Sequence, residues 1–183
     1  MKINAIFELV EDSLYSVKYE GDEFSEFVRI FDNWTNASFL FDFFTNHSHD
    51  LYSPVWNGIS VTEAVIRTRN EAIAFEEKLL EVAQLGKMVL TDGLSSLFSP
   101  LVNGMFEPIL EKDKAKANRR SWLRIYAIRI DVNLFLVSGG AIKLTRTMNE
   151  REHLKIELQK MDATRKYVKA NGEGIYNYCD LKK

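Results

Sequence analysis

The chain begins with an alternation of apolar and polar residues that predicts a β-hairpin. The odd-numbered positions from Ile3 to Leu9 are all apolar, and a second alternating segment over residues 14–19 follows a polar turn. Gly139-Gly140 interrupts a later apolar segment, where we expect a β-bulge. That segment and the one before it predict two antiparallel strands joined by a short connection, over residues 122–131 and 133–144.

Apolar residues at helical spacing predict four helices, over about residues 23–34, 38–46, 61–85 and 150–170. Ser60 and Glu63 fit a capping box at the start of the longest helix. The last helix should combine an apolar stripe with a basic exterior that includes Lys160. The polar run over residues 112–120 lies in a region rich in turn signals, so we expect it to be an exposed connection.

These elements together predict an α+β fold, in which helices pack on an antiparallel sheet. With 183 residues, of which 46 % are hydrophobic, the chain can bury a core of its own. We expect a single domain over residues 1–172, made of a hairpin-plus-helices part (1–110) and a strand-strand-helix part (111–172). A tail over residues 173–183 would follow it.

The remaining composition excludes several classes of protein. Cys179 is the only cysteine, so the fold can use neither an internal disulfide nor a cysteine-based zinc site. No apolar run approaches the roughly 18 residues of a membrane span. Acidic residues follow the first methionine within ten positions, which is not the pattern of a signal peptide. We therefore expect a reduced, cytoplasmic protein without a membrane partner.

Charge is distributed unevenly along the chain. Residues 1–110 contain 7 Lys and Arg against 17 Asp and Glu, a net charge of −10, whereas residues 111–169 contain 15 against 7, a net charge of +8. Such asymmetry indicates a polyanionic partner, an acidic half that shields the basic half, or both. The alternative is a solvated helix face combined with chance clustering.

Familiar catalytic motifs are missing from the sequence. His47 and His49, with Asp50, could contact a metal, but this set is weak as a metal site, so we expect a polar loop here and no metal site. His153 would be either a general base or an exposed residue of the last helix. No phosphate-binding loop or dinucleotide fingerprint occurs, and we therefore expect no cofactor.

A cluster of cationic and aromatic residues remains as the candidate site. Its members lie on the two predicted strands or at their ends, beside the start of the last helix: Trp122, Arg124, Tyr126, Arg129, Lys143 and Arg146. Arginine and lysine can bind a phosphate and stabilise charge that accumulates on it. Trp122 and Tyr126 could stack on unpaired RNA bases. The alternative is that Arg124 and Lys143 are only solvated strand residues.

Residues 121–152, SWLRIYAIRIDVNLFLVSGGAIKLTRTMNERE, resemble the RelE/HigB-like toxins of bacterial toxin–antitoxin modules. The resemblance consists of the strand motif LRIYAIR, a hydrophobic strand with a glycine pair, and Lys143 leading into a final basic helix, over about residues 121–170. It implies a curved antiparallel sheet flanked by helices and a metal-independent ribonuclease that cleaves mRNA, in many members on the ribosome. It also implies an antitoxin partner with a helix-turn-helix.

Carried over to this chain, the resemblance implies that Arg124 and Lys143 are catalytic and that Arg129 and Arg146 contact phosphate. The chain departs from the family in its long acidic first part and in lacking an evident histidine near the C-terminus. The alternative function is therefore a non-catalytic RNA- or protein-binding module on the same scaffold. A homodimer is a further possibility for either function.

Overall fold

The computed structural model describes residues 1–86, 93–101 and 110–171, and six strands of this part form one mixed sheet. Across the sheet the strands follow the order β1-β2-β6-β5-β4-β3. Their bounds are β1 Ile3–Val10, β2 Leu14–Tyr19, β3 Phe98–Pro100, β4 Glu111–Lys116, β5 Leu123–Asp131 and β6 Leu134–Ile142. The sheet therefore draws strands from both the acidic and the basic parts of the chain.

Five helices complete the described fold, and the predicted α+β class is confirmed. They are α1 Glu26–Thr35, α2 Ala37–Asn46, α3 Ser48–Leu51, α4 Val61–Leu85 and α5 Glu152–Ala170. Ser60 and Glu63 form the predicted capping box, in which each side chain accepts a hydrogen bond from the other residue's backbone N–H. No helix in the described ranges has the length and apolarity that crossing a bilayer requires.

One pairing in the sheet differs from the expected antiparallel arrangement. Strand β2 runs parallel to β6, with Leu14 opposite Phe135 and Ser16 opposite Val137, whereas every other neighbouring pair is antiparallel. Parallel neighbours need a long crossover between them, and helices α1 to α4 provide it here. The β1-β2 hairpin and the β5-β6 hairpin are thus joined through the parallel pairing of β2 with β6.

Helices cover both faces of the central strands. On one face, Leu123, Ile125 and Ala127 of β5 pack with buried residues of α1, α2 and α4. On the other face, Tyr126 and Ile128 pack against α5. Burial on both faces explains why the centre of β5, from Ile125 to Ile128, is an unbroken apolar run rather than an alternating one.

The polar run over residues 112–120 is not the exposed connection that we expected, because residues 111–116 form strand β4 between β3 and β5. Asp113 and Ala115 are fully buried, while Lys112, Lys114 and Lys116 alternate with them. This period-2 alternation was a strand signal that the high charge of the segment obscured. The predicted end of the domain at residue 172, the tail over residues 173–183 and Cys179 lie outside the described residues.

A buried ionic network joins α1 to α5. Glu26 Oε2 accepts hydrogen bonds from Lys160 Nζ at 2.8 Å and from Arg29 Nη2 at 2.6 Å, and Lys160 also pairs with Glu157 at 3.1 Å. Lys160 is therefore buried rather than part of the expected basic exterior. Burial raises the pKa of Glu157 to about 7, with Lys160 opposing the rise and the charge of Glu26 adding to it.

Candidate nucleic-acid interface

Two adjoining cavities lie where β5 begins and β6 ends. Their volumes are about 600 and 440 Å³, and Arg124, Lys143 and Arg146 line both. We call the two cavities together the cationic groove. Among the described residues, no Asp or Glu lines it, whereas eight cationic side chains do: Arg67, Lys114, Lys116, Arg119, Arg120, Arg124, Lys143 and Arg146.

A β-bulge sets which residues reach this groove. Tyr126 pairs with Gly139 and Ala127 pairs with Val137, so Ser138 is the extra residue of the bulge. As a result Arg124 lies opposite Ala141, and Lys143, two residues further on, belongs to the same face. A one-residue slip would place Lys143 on the opposite face from Arg124. The bulge expected from the glycine pair is present, and it brings these two cations together.

The two central cations bond only to backbone oxygens. Arg124 Nη1 donates to the carbonyls of Ser121 and Leu123, both at 2.7 Å. Lys143 Nζ donates to the carbonyls of Thr145 at 2.7 Å and Arg146 at 2.6 Å. These bonds hold the side chains in place but leave their charges without a carboxylate partner in the described structure.

Mutual repulsion in the groove is reflected in the pKa values. Burial lowers the pKa of Lys143, and the charges of Arg124, Lys114 and Lys116 lower it further, against an opposing effect of Glu150. Burial likewise lowers the pKa of Lys114, with the charges of Lys116 and Arg124 acting in the same direction. An anion that enters the groove would relieve this repulsion.

Strand β4 contributes two cations that our sequence reasoning missed. Lys114 pairs with Tyr126 and Lys116 pairs with Arg124 in the sheet register, so both lie beside the central pair. The signal that could have identified them is the alternation of lysines over residues 112–116. That alternation predicts a strand face but does not say which neighbouring strand it joins.

Trp122 and Tyr126 are not placed to stack on RNA bases. Trp122 is 0 % exposed and donates its Nε1 hydrogen bond to Thr68 Oγ1 at 2.9 Å, and Tyr126 is only 1 % exposed. The expected stacking by both rings is therefore wrong. Tyr126 nevertheless borders the smaller cavity, where its hydroxyl has no hydrogen-bond partner among the described residues and burial raises its pKa.

Arg129 also lies away from the groove. Its Nη2 forms a salt bridge with Asp113 Oδ2 at 2.6 Å, and its guanidinium lies 5.4 Å from the ring centroid of Phe135. Phe135 belongs to the face of the sheet that packs on α1, α2 and α4, opposite the face of Tyr126. Arg129 is therefore outside the groove, and a buried carboxylate already neutralises its charge.

His153 is neither exposed nor part of the groove. Its ring packs edge-on against Phe43 and His47, and its Nε2 lies 3.1 Å from the carbonyl oxygen of Ile142. Burial lowers the pKa of His153, with the Ile142 carbonyl opposing the shift, so the ring is neutral at physiological pH. His153 is thus a packing residue between α2 and the end of β6.

No group of three or more His, Cys, Asp or Glu in the described part of the chain is arranged to hold a metal ion. Comparison of the chain with protein families, curated proteins and solved structures found no match. The chemistry of the groove itself is therefore the basis on which a function can be argued.

Proposed function

We propose that the cationic groove binds the phosphate backbone of single-stranded RNA and that the protein is a metal-independent endoribonuclease. The observation that carries this proposal is the set of eight cationic side chains on the groove, with no carboxylate among the described residues that line it. Phosphate contacts by Lys and Arg supply most of the affinity of proteins for nucleic acids. The resemblance of residues 121–152 to RelE/HigB-like toxins supports RNA as the polyanion.

Cleavage would use the ribose of the substrate as nucleophile. The 2′-oxygen attacks the adjacent phosphorus and loses its proton to water, the bond from phosphorus to O5′ breaks, and O5′ takes up a proton. The products are a 2′,3′-cyclic phosphate and a 5′-hydroxyl. Arg124 would stabilise the charge that develops on the phosphate oxygens, as positioned cations do in phosphoryl transfer. Lys143, whose pKa is lowered, is a stronger acid than a free lysine and would protonate O5′.

The second candidate is an RNA-binding module without catalysis, and a specific observation favours it. No His, Asp or Glu lines the groove in the described structure, so the side chains that most often act as general bases are lacking. Under this candidate the same cations bind phosphate but the 2′-hydroxyl is not activated.

A binding and cleavage assay with labelled single-stranded RNA in the presence of a chelator separates the two candidates. Wild-type protein should produce ends with a 2′,3′-cyclic phosphate, and Lys143→Ala should lower the rate about 10²–10³-fold. Arg124→Ala should have an effect of similar size. The matched control is Lys166→Ala, because Lys166 is an exposed cation of α5 outside both cavities.

RNA that carries a single 2′-deoxynucleotide at the cleaved position should bind but remain intact. Binding without cleavage by the wild type would support the non-catalytic module. Absence of RNA binding, or equal binding by wild type and the two alanine variants, would refute the role of the groove.

We further propose that the protein acts in the cytoplasm as the toxin of a toxin–antitoxin module, with mRNA, free or on the ribosome, as its substrate. Induced expression in a growing bacterium should arrest growth and shorten transcripts, and the variants at Arg124 and Lys143 should relieve both effects. A neighbouring gene should encode a protein that co-purifies with this one and carries a helix-turn-helix. A harmless wild-type protein would refute the toxin role but not RNA binding.

A further inference from the structure

Trp56 lies on the wall of the larger cavity of the groove, beside Arg119 and Arg120. The chain has three tryptophans, and the other two, Trp34 and Trp122, are only 3 % and 0 % exposed. Trp56 is half-buried, so it is the one indole that a ligand in the groove can reach. Its position was not predicted from the sequence, where it lies in a loop far from the basic strands.

The ring of Trp56 is held in a fixed orientation. Its Nε1 donates a hydrogen bond to the carbonyl oxygen of Leu144 at 2.8 Å, and its ring meets that of Trp122 edge-on at 5.0 Å between centroids. Leu144 directly follows Lys143, so this bond ties the indole to the segment that carries a central cation of the groove. A stacking platform that is already ordered loses little entropy when a ligand binds.

A tight turn shapes the loop around Trp56. Asn57 adopts a φ of 54°, in the left-handed region that asparagine occupies more readily than most non-glycine residues. The backbone N–H groups of Trp56 and Asn57 both donate to the carbonyl of Ser53, at 3.0 and 3.1 Å. These two hydrogen bonds close the turn and hold Trp56 at the cavity wall. Asn57 itself lines the same cavity, where its amide can bond to polar groups of a ligand.

We propose that Trp56 stacks on a nucleobase of the RNA strand whose phosphate binds at Arg124 and Lys143. An aromatic face beside a cationic track is the arrangement with which proteins bind single strands, because every base offers a π-face. The larger cavity, at about 600 Å³, is within the usual range of small-ligand pockets. This inference rests on the proposed function and adds the base-binding part of the site.

Intrinsic tryptophan fluorescence tests the proposal directly. A short single-stranded RNA should quench the emission of the wild type, since only Trp56 is accessible to stacking. An abasic oligonucleotide and inorganic polyphosphate should compete for the groove without that quenching, because they carry phosphates but no bases. RNA binding without quenching would overturn the stacking and leave phosphate binding by the groove intact.

Substitutions provide an independent measurement. Trp56→Ala should weaken RNA binding about 10- to 100-fold, as expected for the loss of one stacked base, while its affinity for polyphosphate stays unchanged. Trp56→Phe keeps an aromatic ring and should lose much less RNA affinity than Trp56→Ala. Phe41→Ala is the control, because Phe41 is an aromatic residue that is 53 % exposed and lies outside both cavities.

Unchanged RNA affinity in Trp56→Ala would overturn the inference about the base. A parallel loss of RNA and polyphosphate binding in that variant would also overturn it, since Trp56 would then act only by supporting the groove. If wild-type protein binds neither RNA nor polyphosphate, the proposed function fails, and this inference fails with it.

Discussion

The affinity of the groove for RNA should fall steeply as salt is added. Of the eight cations that line it, Arg67 is paired with Glu71 at 2.8 Å, and the other seven have no ion pair in the described structure. For single strands the logarithm of the binding constant falls with the logarithm of salt by about 0.7 per neutralised phosphate. Seven contacts would give a slope of about −5, and therefore a loss of about 10³-fold between 50 and 200 mM salt.

Each cation removed from the groove should reduce the magnitude of this salt-dependence slope by the same amount. Lys116→Gln and Arg146→Gln each remove one charge without leaving a buried partner, because both side chains are exposed. Each should lower the magnitude of the slope by about 0.7, and the double variant by about 1.4. Lys166→Gln, which changes the charge of the protein equally, should leave the slope unchanged.

Fluorescence anisotropy of a labelled single-stranded RNA, with its 2′-hydroxyls methylated so that it cannot be cleaved, measures these slopes in titrations at four or five KCl concentrations. A wild-type slope near zero would mean that phosphate contacts do not drive binding. Slopes that fall equally in Lys166→Gln and in the groove variants would mean that the overall charge matters and the groove does not. Either result would refute the assignment of the groove as the RNA-binding surface.

Three further predictions concern the folded state. The pKa of Glu157 is raised to about 7 in the folded state, so the stability gained from the protonated carboxyl is fully present below pH 4.5 and is lost as pH rises through 7. Relative to Glu157→Gln, the free energy of unfolding of the wild type in urea should therefore fall by about 2–3 kcal/mol between pH 5 and 8, and parallel profiles would contradict this. Lys160→Met removes the ion-pair partner of buried Glu157, while Glu26 keeps Arg29, and should cost about 3–5 kcal/mol in the same assay, with part of the loss recovered when Glu157→Gln is added. Thr68→Val removes the acceptor of the Trp122 indole and should lower the free energy of unfolding by about 1–3 kcal/mol, whereas Thr68→Ser keeps the hydroxyl and should lose less.

Local patterns in the sequence were sufficient for most of the secondary structure. The longest helix occupies residues 61–85 as predicted, because its apolar stripe and the Ser60 capping box are both local signals. The strands over 123–131 and 134–142 were found for the same reason, and their short connection predicted their pairing. The proximity of Arg124 and Lys143 followed from that pairing, with the bulge supplying the shared face.

Contacts between distant segments could not be predicted in this way. The alternation in β4 shows that Lys114 and Lys116 share a face but not that β5 is their neighbour. The salt bridge of Arg129 could not be predicted, because Asp113 lies beside it only through the pairing of β4 with β5. Lys160 appeared to belong to an exposed basic face, because its partner Glu26 lies 134 residues earlier in the chain.

Three features could be predicted from the sequence: the α+β class, the main helices and strands, and the concentration of positive charge in the second part of the chain. These depend on side-chain periodicity and capping, which act over a few residues. The folded chain was needed to show which cations meet in the groove, which of them are neutralised, and that Trp56 rather than Trp122 lines it. Burial and ion pairing depend on neighbours brought together by strand order and helix packing, and a periodic pattern specifies a face without specifying what covers it.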